Sequence, residues 1–139
     1  MTTTDKIKAT LAAVGEPFNY GYIEQMNDIL YNEDMPTVFV LPPVNISMVG
    51  QWKRHRFGLT AYFINDSDCE NTEADKEDII DVCRKRAAAW LYELTHGNIF
   101  DVIGEPVLAR VDYELNALVV GVRVTVTLQD LPESYCTQP

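Results

Sequence analysis

Basic residues are scarce. Eleven Lys and Arg stand against 21 Asp and Glu in 139 residues, a formal net charge of −10 with neutral His. Such a balance weighs against nucleic-acid binding through a generally basic surface. It also weighs against adhesion to an anionic membrane. Cysteine is scarce as well: Cys69, Cys83 and Cys136 are odd in number, far apart and in no CxxC pair. That spacing is not a disulfide framework, and it favours a reducing, intracellular origin. With only His55 and His96, Cys and His cannot supply zinc-ligand spacing. There is no GxSxG nucleophile turn, no cysteine-protease signature and no glycine-rich phosphate loop. The opening MTTTDKIKATLAAV lacks the apolar stretch of a signal peptide. No apolar run reaches the roughly 18 residues that a membrane helix needs. Neither an internal repeat nor a low-complexity segment is present.

What remains is ordinary globular material. The hydrophobic fraction is 47%, enough for a core without disulfides or metal at this length. One domain is expected, over residues 1–128, followed by a C-terminal tail over 129–139. Ile7, Leu11 and Val14 share a face of a short helix over Thr4–Val14, capped by Thr4 or Asp5 and ended by Gly15 and Pro17. Phe18, Tyr20 and Tyr22 alternate as in a strand, whereas Ile23, Met26 and Ile29 or Leu30 repeat as in a helix. TVFVL (Thr37–Leu41) has the β-branched, two-sided apolar character of a central strand, stopped by Pro42 and Pro43. Val44–Val49 and Arg56–Asn65 predict an antiparallel pair around Gly50.

Lys76–Thr95 is the clearest helix. Ile79, Ile80, Cys83, Ala87, Trp90, Leu91 and Leu94 make its apolar stripe. Glu73, Asp75, Glu77 and Asp78 stand at its N-terminal end, where the helix dipole favours negative charge, and Gly97 is placed to cap the other end. Asp81 and Lys85 have i, i+4 spacing, which accounts for the run Arg84, Lys85 and Arg86 without a ligand. Pro106–Glu114 is the next strand, and LNAL the turn. The last strand is unusually regular: Val120, Val122, Val124, Val126 and Leu128 alternate with Val119, Gly121, Arg123, Thr125 and Thr127. The fold class is α+β, a mostly antiparallel sheet packed by one long helix and a short N-terminal helix.

Two segments carry opposite charge. In NDSDCENTEADKED, Asp66, Asp68 and Glu70 alternate, and Glu77 follows eleven residues after Asp66. That approaches the ligand spacing of a calcium loop, although Asn71 stands where the loop needs Gly. A solvated acidic loop feeding a helix N-terminus is the simpler reading. In QWKRHRF, Lys53, Arg54 and Arg56 lie beside Trp52 and Phe57. The segment is a docking patch for an acidic surface, such as a neighbouring copy, or a solvated hairpin tip with Trp52 packed on the core. No catalytic constellation accompanies either segment.

The stretches FNYGYIEQMN, MPTVFVLPP, FGLTAYFIND, ADKEDIIDVCRKRAAAWLYEL and GVRVTVTLQDLPESYC, in that order, resemble the small neck proteins of tailed bacteriophages, of the tail-completion or tail-terminator type. The closing Val/Thr strand with a short Cys-containing tail is similar to those in phages of Bacteroidota. The resemblance implies a non-enzymatic virion protein that needs no cofactor. It implies a homo-oligomeric ring, commonly six-fold, at the head–tail junction or the top of the tail. Its partners would be itself and other neck or tail proteins, with DNA only as cargo passing through a lumen and no membrane. On that reading Trp52, Lys53, Arg54, Arg56, Leu131 and Tyr135 are the expected subunit contacts. The last strand is expected at a sheet edge, where it can meet a neighbour. Two other readings follow from the residues alone. One is a small acidic regulator that mimics DNA and occupies a basic cleft. The other is an enzyme using the Asp66–Asp78 carboxylates with a divalent cation.

Overall fold

A computed structural model describes residues 2–26, 35–50, 54–67, 72–112 and 119–131. The elements in chain order are α1 (Thr3–Ala13), β1 (Asn19–Tyr20), a 3-10 turn (Ile23–Gln25), β2 (Thr37–Val40), β3 (Val44–Val49), β4 (Arg54–Asp66), α2 (Glu73–His96), β5 (Phe100–Asp112) and β6 (Val119–Asp130). The architecture is α+β: one six-stranded sheet of order β1-β2-β4-β6-β5, with β3 also on β4. Among the described residues only β1–β2 is parallel, and the other pairings are antiparallel.

Among the described residues, both α-helices begin at reciprocal capping boxes. Thr2, rather than Thr4 or Asp5, caps α1: its hydroxyl accepts from the Asp5 N–H, and the Asp5 carboxylate accepts from the Thr2 N–H. Those bonds from Thr2 hold the Asp5 carboxyl below its usual range. Thr72 and Asp75 repeat the device in α2, which therefore starts three residues before Lys76. Gly97 ends α2, its N–H donating to the Glu93 carbonyl at 2.7 Å.

Alternation in the strands sorts the core. Val120, Val122, Val124, Val126 and Leu128 join Phe57, Leu59, Ala61 and Phe63 on the helix side. Ile7 and Leu11 of α1 and Ile80, Cys83, Ala87, Trp90 and Leu94 of α2 cover them. Trp90 Nε1 donates to Thr10 Oγ1 at 2.9 Å and so ties the two helices together. On the reverse face lies a smaller cluster of Met26, Phe39, Tyr62, Ile64 and Val111.

Two strands depart from expectation. β6 is not an edge strand. It lies between β4 and β5 and pairs with both. It has the marks of an interior strand: no proline, no bulge, and Gly121 where the Phe63 backbone comes so close that a Cβ would sit 2.0 Å from its carbonyl oxygen. It also continues past Leu128 through Gln129 and Asp130, both buried, so the sheet reaches two residues into the expected tail. β5 starts at Phe100, six residues before Pro106. Gly104 (φ 72°), Glu105 and Pro106 form a bulge facing a single residue of β6. A bulge and a proline are tolerated there because β5 is an edge. Glu114 and the LNAL turn lie outside the described residues.

No helix among the described residues is long and apolar enough to cross a membrane.

Candidate interaction surface

β2 and β3 lie in succession along the same side of β4, with Pro42 and Pro43 between them. β2 is buried throughout, whereas β3 is exposed along nearly its whole length. Between Val44 and Ser47 the ladder carries one extra residue, and Asn45 adopts the left-handed conformation (φ 54°) that Asn tolerates better than most residues. Met48 then faces His55, which puts Ile46 and Met48 on the same side as Phe57. Both are well exposed, at 63% and 54%. The run Val44–Val49 contains no charge and no proline.

The adjoining end of β4 divides its basic residues between two faces. Arg56 lies opposite Gln129 on β6, and its Nε and one terminal nitrogen donate to Gln129 Oε1 at 3.0 and 2.8 Å. Arg54 is paired with Val49, and its guanidinium lies over the Gly50 turn. His55 points the other way. Its Nδ1 is 3.4 Å from Asp130 Oδ2, and the His55 N–H reaches the same oxygen at 3.4 Å. Among the described residues, Asp130 Oδ1 is buried without a hydrogen bond, with Lys6 Nζ at 4.0 Å. The basic segment is thus two-sided, and Arg56 is engaged within the subunit. Leu131 follows directly and is half-buried. Trp52, Lys53 and Tyr135 lie outside the described residues.

The acidic segment does not form one site among the described residues. Asp66 ends β4 exposed, and Glu77 stands on α2, where it lines a cleft of about 260 Å³ with Ile80, Asp81, Arg84 and Arg110. Asp68 and Glu70 lie outside the described residues. Among those described, no group of three or more His, Cys, Asp or Glu is placed to hold a metal. Arg110 binds Glu73 and Asp112, and the Glu73 bond holds that carboxyl below its usual range. Arg84 pairs with Asp81 at 3.0 Å, taking the partner that spacing had given to Lys85.

No family model matches the chain, and no curated protein matches it.

Sequence reasoning missed Arg86. It reaches from α2 to the Glu16 carboxylate, with Nε to Oε2 at 2.8 Å, and donates to the carbonyls of Ile64 and Thr37. Its one advance signal was a position within the turn of the helix that carries Cys83 and Ala87. The second edge, β5, was missed as well. Val107 and Leu108 are exposed there just after the bulge.

Proposed function

We propose that this chain is a structural, non-enzymatic subunit of a tailed-phage virion, assembling with copies of itself into a ring at the head–tail junction or the top of the tail. The exposed, uncharged β3 edge carries this reading. Monomers ordinarily blunt such edges, because an unpaired apolar strand recruits another chain. The resemblance of five stretches to neck and tail-completion proteins supplies the setting, with other neck or tail proteins as neighbours and DNA as cargo in the lumen.

The test is to search purified tailed particles for the chain by mass spectrometry and to image the isolated protein by negative stain. Rings of one copy number, together with the chain in particles, are expected. Absence from particles overturns the reading. Reversal of Lys53 and Arg54 to Glu should abolish rings without lowering the melting temperature, and Arg56 is left intact because Gln129 depends on it.

A second reading is favoured by the exposed Asp66, Asp75, Glu77 and Asp78 at the end of β4 and the first turns of α2. A small acidic protein of this kind would occupy a basic cleft, and a salt-sensitive complex with a nucleic-acid enzyme would support it.

A further inference from the structure

Among the described residues, β3 and β5 are unlike open edges on opposite flanks of the sheet, and the remaining edge strand, β1, has only two residues. β4 pairs with β6 on one side and with β2 and β3 on the other, so β3 and β5 look outward in opposite directions. Each edge carries a bulge, β3 between Val44 and Ser47 and β5 between Ile103 and Val107. β5 is interrupted by its bulge and by Pro106, which leaves Val107–Asp112 as the uninterrupted part. That part has six residues, and so does β3. Both present apolar side chains to solvent: Ile46 and Met48 on β3, Val107 and Leu108 on β5.

Charge decides how they can be joined. β3 is flanked by Arg54, whereas β5 carries Asp101, Glu105 and Asp112 against Arg110 alone. Opposite charges across a junction support it. Two β3 strands paired antiparallel would hold their Arg54 ends at opposite ends of the junction, and two Val107–Asp112 segments would set Asp112 against Val107, so neither self-pairing brings opposite charges together. β3 paired antiparallel with Val107–Asp112 brings its Arg54 end to the Val107 end of β5, where Glu105 stands.

We infer that copies of this chain join edge to edge, β3 of one subunit pairing with Val107–Asp112 of the next. This rests on the self-assembly proposed above and names its junction. β3 and β6 run against β4, and β5 runs with it. Neighbours in the same orientation therefore meet with β3 antiparallel to β5, and one sheet continues through the assembly. Such a contact uses two different patches and propagates until it closes on itself, so it builds rings rather than isolated dimers. β3 lies beside Arg54–Gly58 of β4, while Val107–Asp112 lies toward the opposite end of the sheet, beside Val120–Thr125 of β6. The junction is therefore staggered, and closure requires strands tilted to the ring axis, as in a barrel.

Two edge variants test this: Ile46→Lys with Met48→Lys, and Val107→Lys with Leu108→Lys. Val107→Lys alone replaces the second if Leu108→Lys lowers the melting temperature. Native mass spectrometry over a concentration series should show a multi-subunit wild type. Each variant should self-associate about tenfold or more weakly. Mixed one to one, the variants should form a heterodimer and nothing larger, because only one intact junction can be made. Dimers of the β5-edge variant alone would mean that β3 pairs with itself, and would overturn the inference. Wild-type assembly by both variants would place the junction elsewhere and overturn it while leaving the ring reading standing. A wild type that stays monomeric throughout would also overturn it. The ring reading would then be judged by the chain's presence in particles.

Discussion

Arg86 on α2 and Glu16 in the turn after α1 form a two-pronged ion pair, 70 residues apart in sequence and shielded from solvent. The same guanidinium donates to the carbonyls of Ile64 on β4 and Thr37 on β2, and it lies 5.7 Å from the centre of the Phe63 ring. One side chain thus fastens the long helix to the N-terminal turn and two strands. Removing it leaves a buried carboxylate and two buried carbonyls without their donor. Arg86→Ala should cost about 3–5 kcal/mol, the usual penalty for breaking a buried pair by one partner. The double change Arg86→Met with Glu16→Gln should cost clearly less, since no charge is stranded. Urea unfolding of the three proteins measures both.

Gly121 illustrates a different constraint. It pairs with Ile64 of β4 and Val111 of β5, and a Cβ there would lie 2.0 Å from the Phe63 carbonyl oxygen and 2.8 Å from the Ile64 Cα. These obstacles are backbone atoms, so no rotamer change relieves them. Gly121→Ala should force the central strand pair apart and destabilise by roughly 3 kcal/mol or more, at the upper end for point substitutions. Amide hydrogen exchange should show lost protection in β4 and β6 ahead of α2. A variant with native stability would refute the close approach.

Much of the fold was legible before the structure, and for one reason: burial imposes a period. The stripe from Ile79 to Leu94 and the alternation of Val120 through Leu128 both lie where their spacing places them. What period cannot reveal is neighbour order. β6 reads equally well as edge or centre, because alternation reports which face is wet and not which flank is paired. β5 was truncated because Gly104 and Pro106 look like stops, whereas an edge strand can absorb both in a bulge. The basic segment looked like one patch because sequence lists neighbours in order, while strand geometry sends His55 to Asp130 and Arg56 to Gln129 on opposite faces. Arg86 was hidden because its partners come from three separate parts of the chain.

Cys83 lies fully buried against the sheet, and burial pushes its thiol above the ordinary value, against the smaller opposing pull of Arg86. A raised value keeps the unreactive protonated form. In a protein with Cys69→Ser and Cys136→Ser, Ellman's reagent at neutral pH should label the remaining thiol only as fast as the protein unfolds. The sign of the pH effect follows. Below the unfolded thiol's value of roughly 8.5, both states hold the proton, and the contribution is fully present. As pH rises from there through the folded value, the unfolded chain ionises first and stability falls. Cys83→Ala should flatten the alkaline part of that stability profile, and rapid labelling of the native protein would contradict the burial.

Arg54 and Arg56 are two residues apart in one basic run, yet the structure gives them different work. Arg56 donates twice to Gln129 Oε1, and Gln129 is only 4% exposed. Arg56→Ala strands that buried acceptor, and the expected loss is about 1–3 kcal/mol. The guanidinium of Arg54 lies over the Gly50 turn and makes no hydrogen bond or ion pair among the described residues. Arg54→Ala should change stability by no more than about 0.5 kcal/mol, as surface substitutions usually do. Chemical denaturation of the two variants separates them directly. If Arg54→Ala proves as costly as Arg56→Ala, the turn depends on that guanidinium, and Arg54 is not free to meet a neighbour. If only Arg56→Ala destabilises, any loss of assembly in Arg54→Glu can be assigned to the contact itself, because the fold that presents it is unchanged.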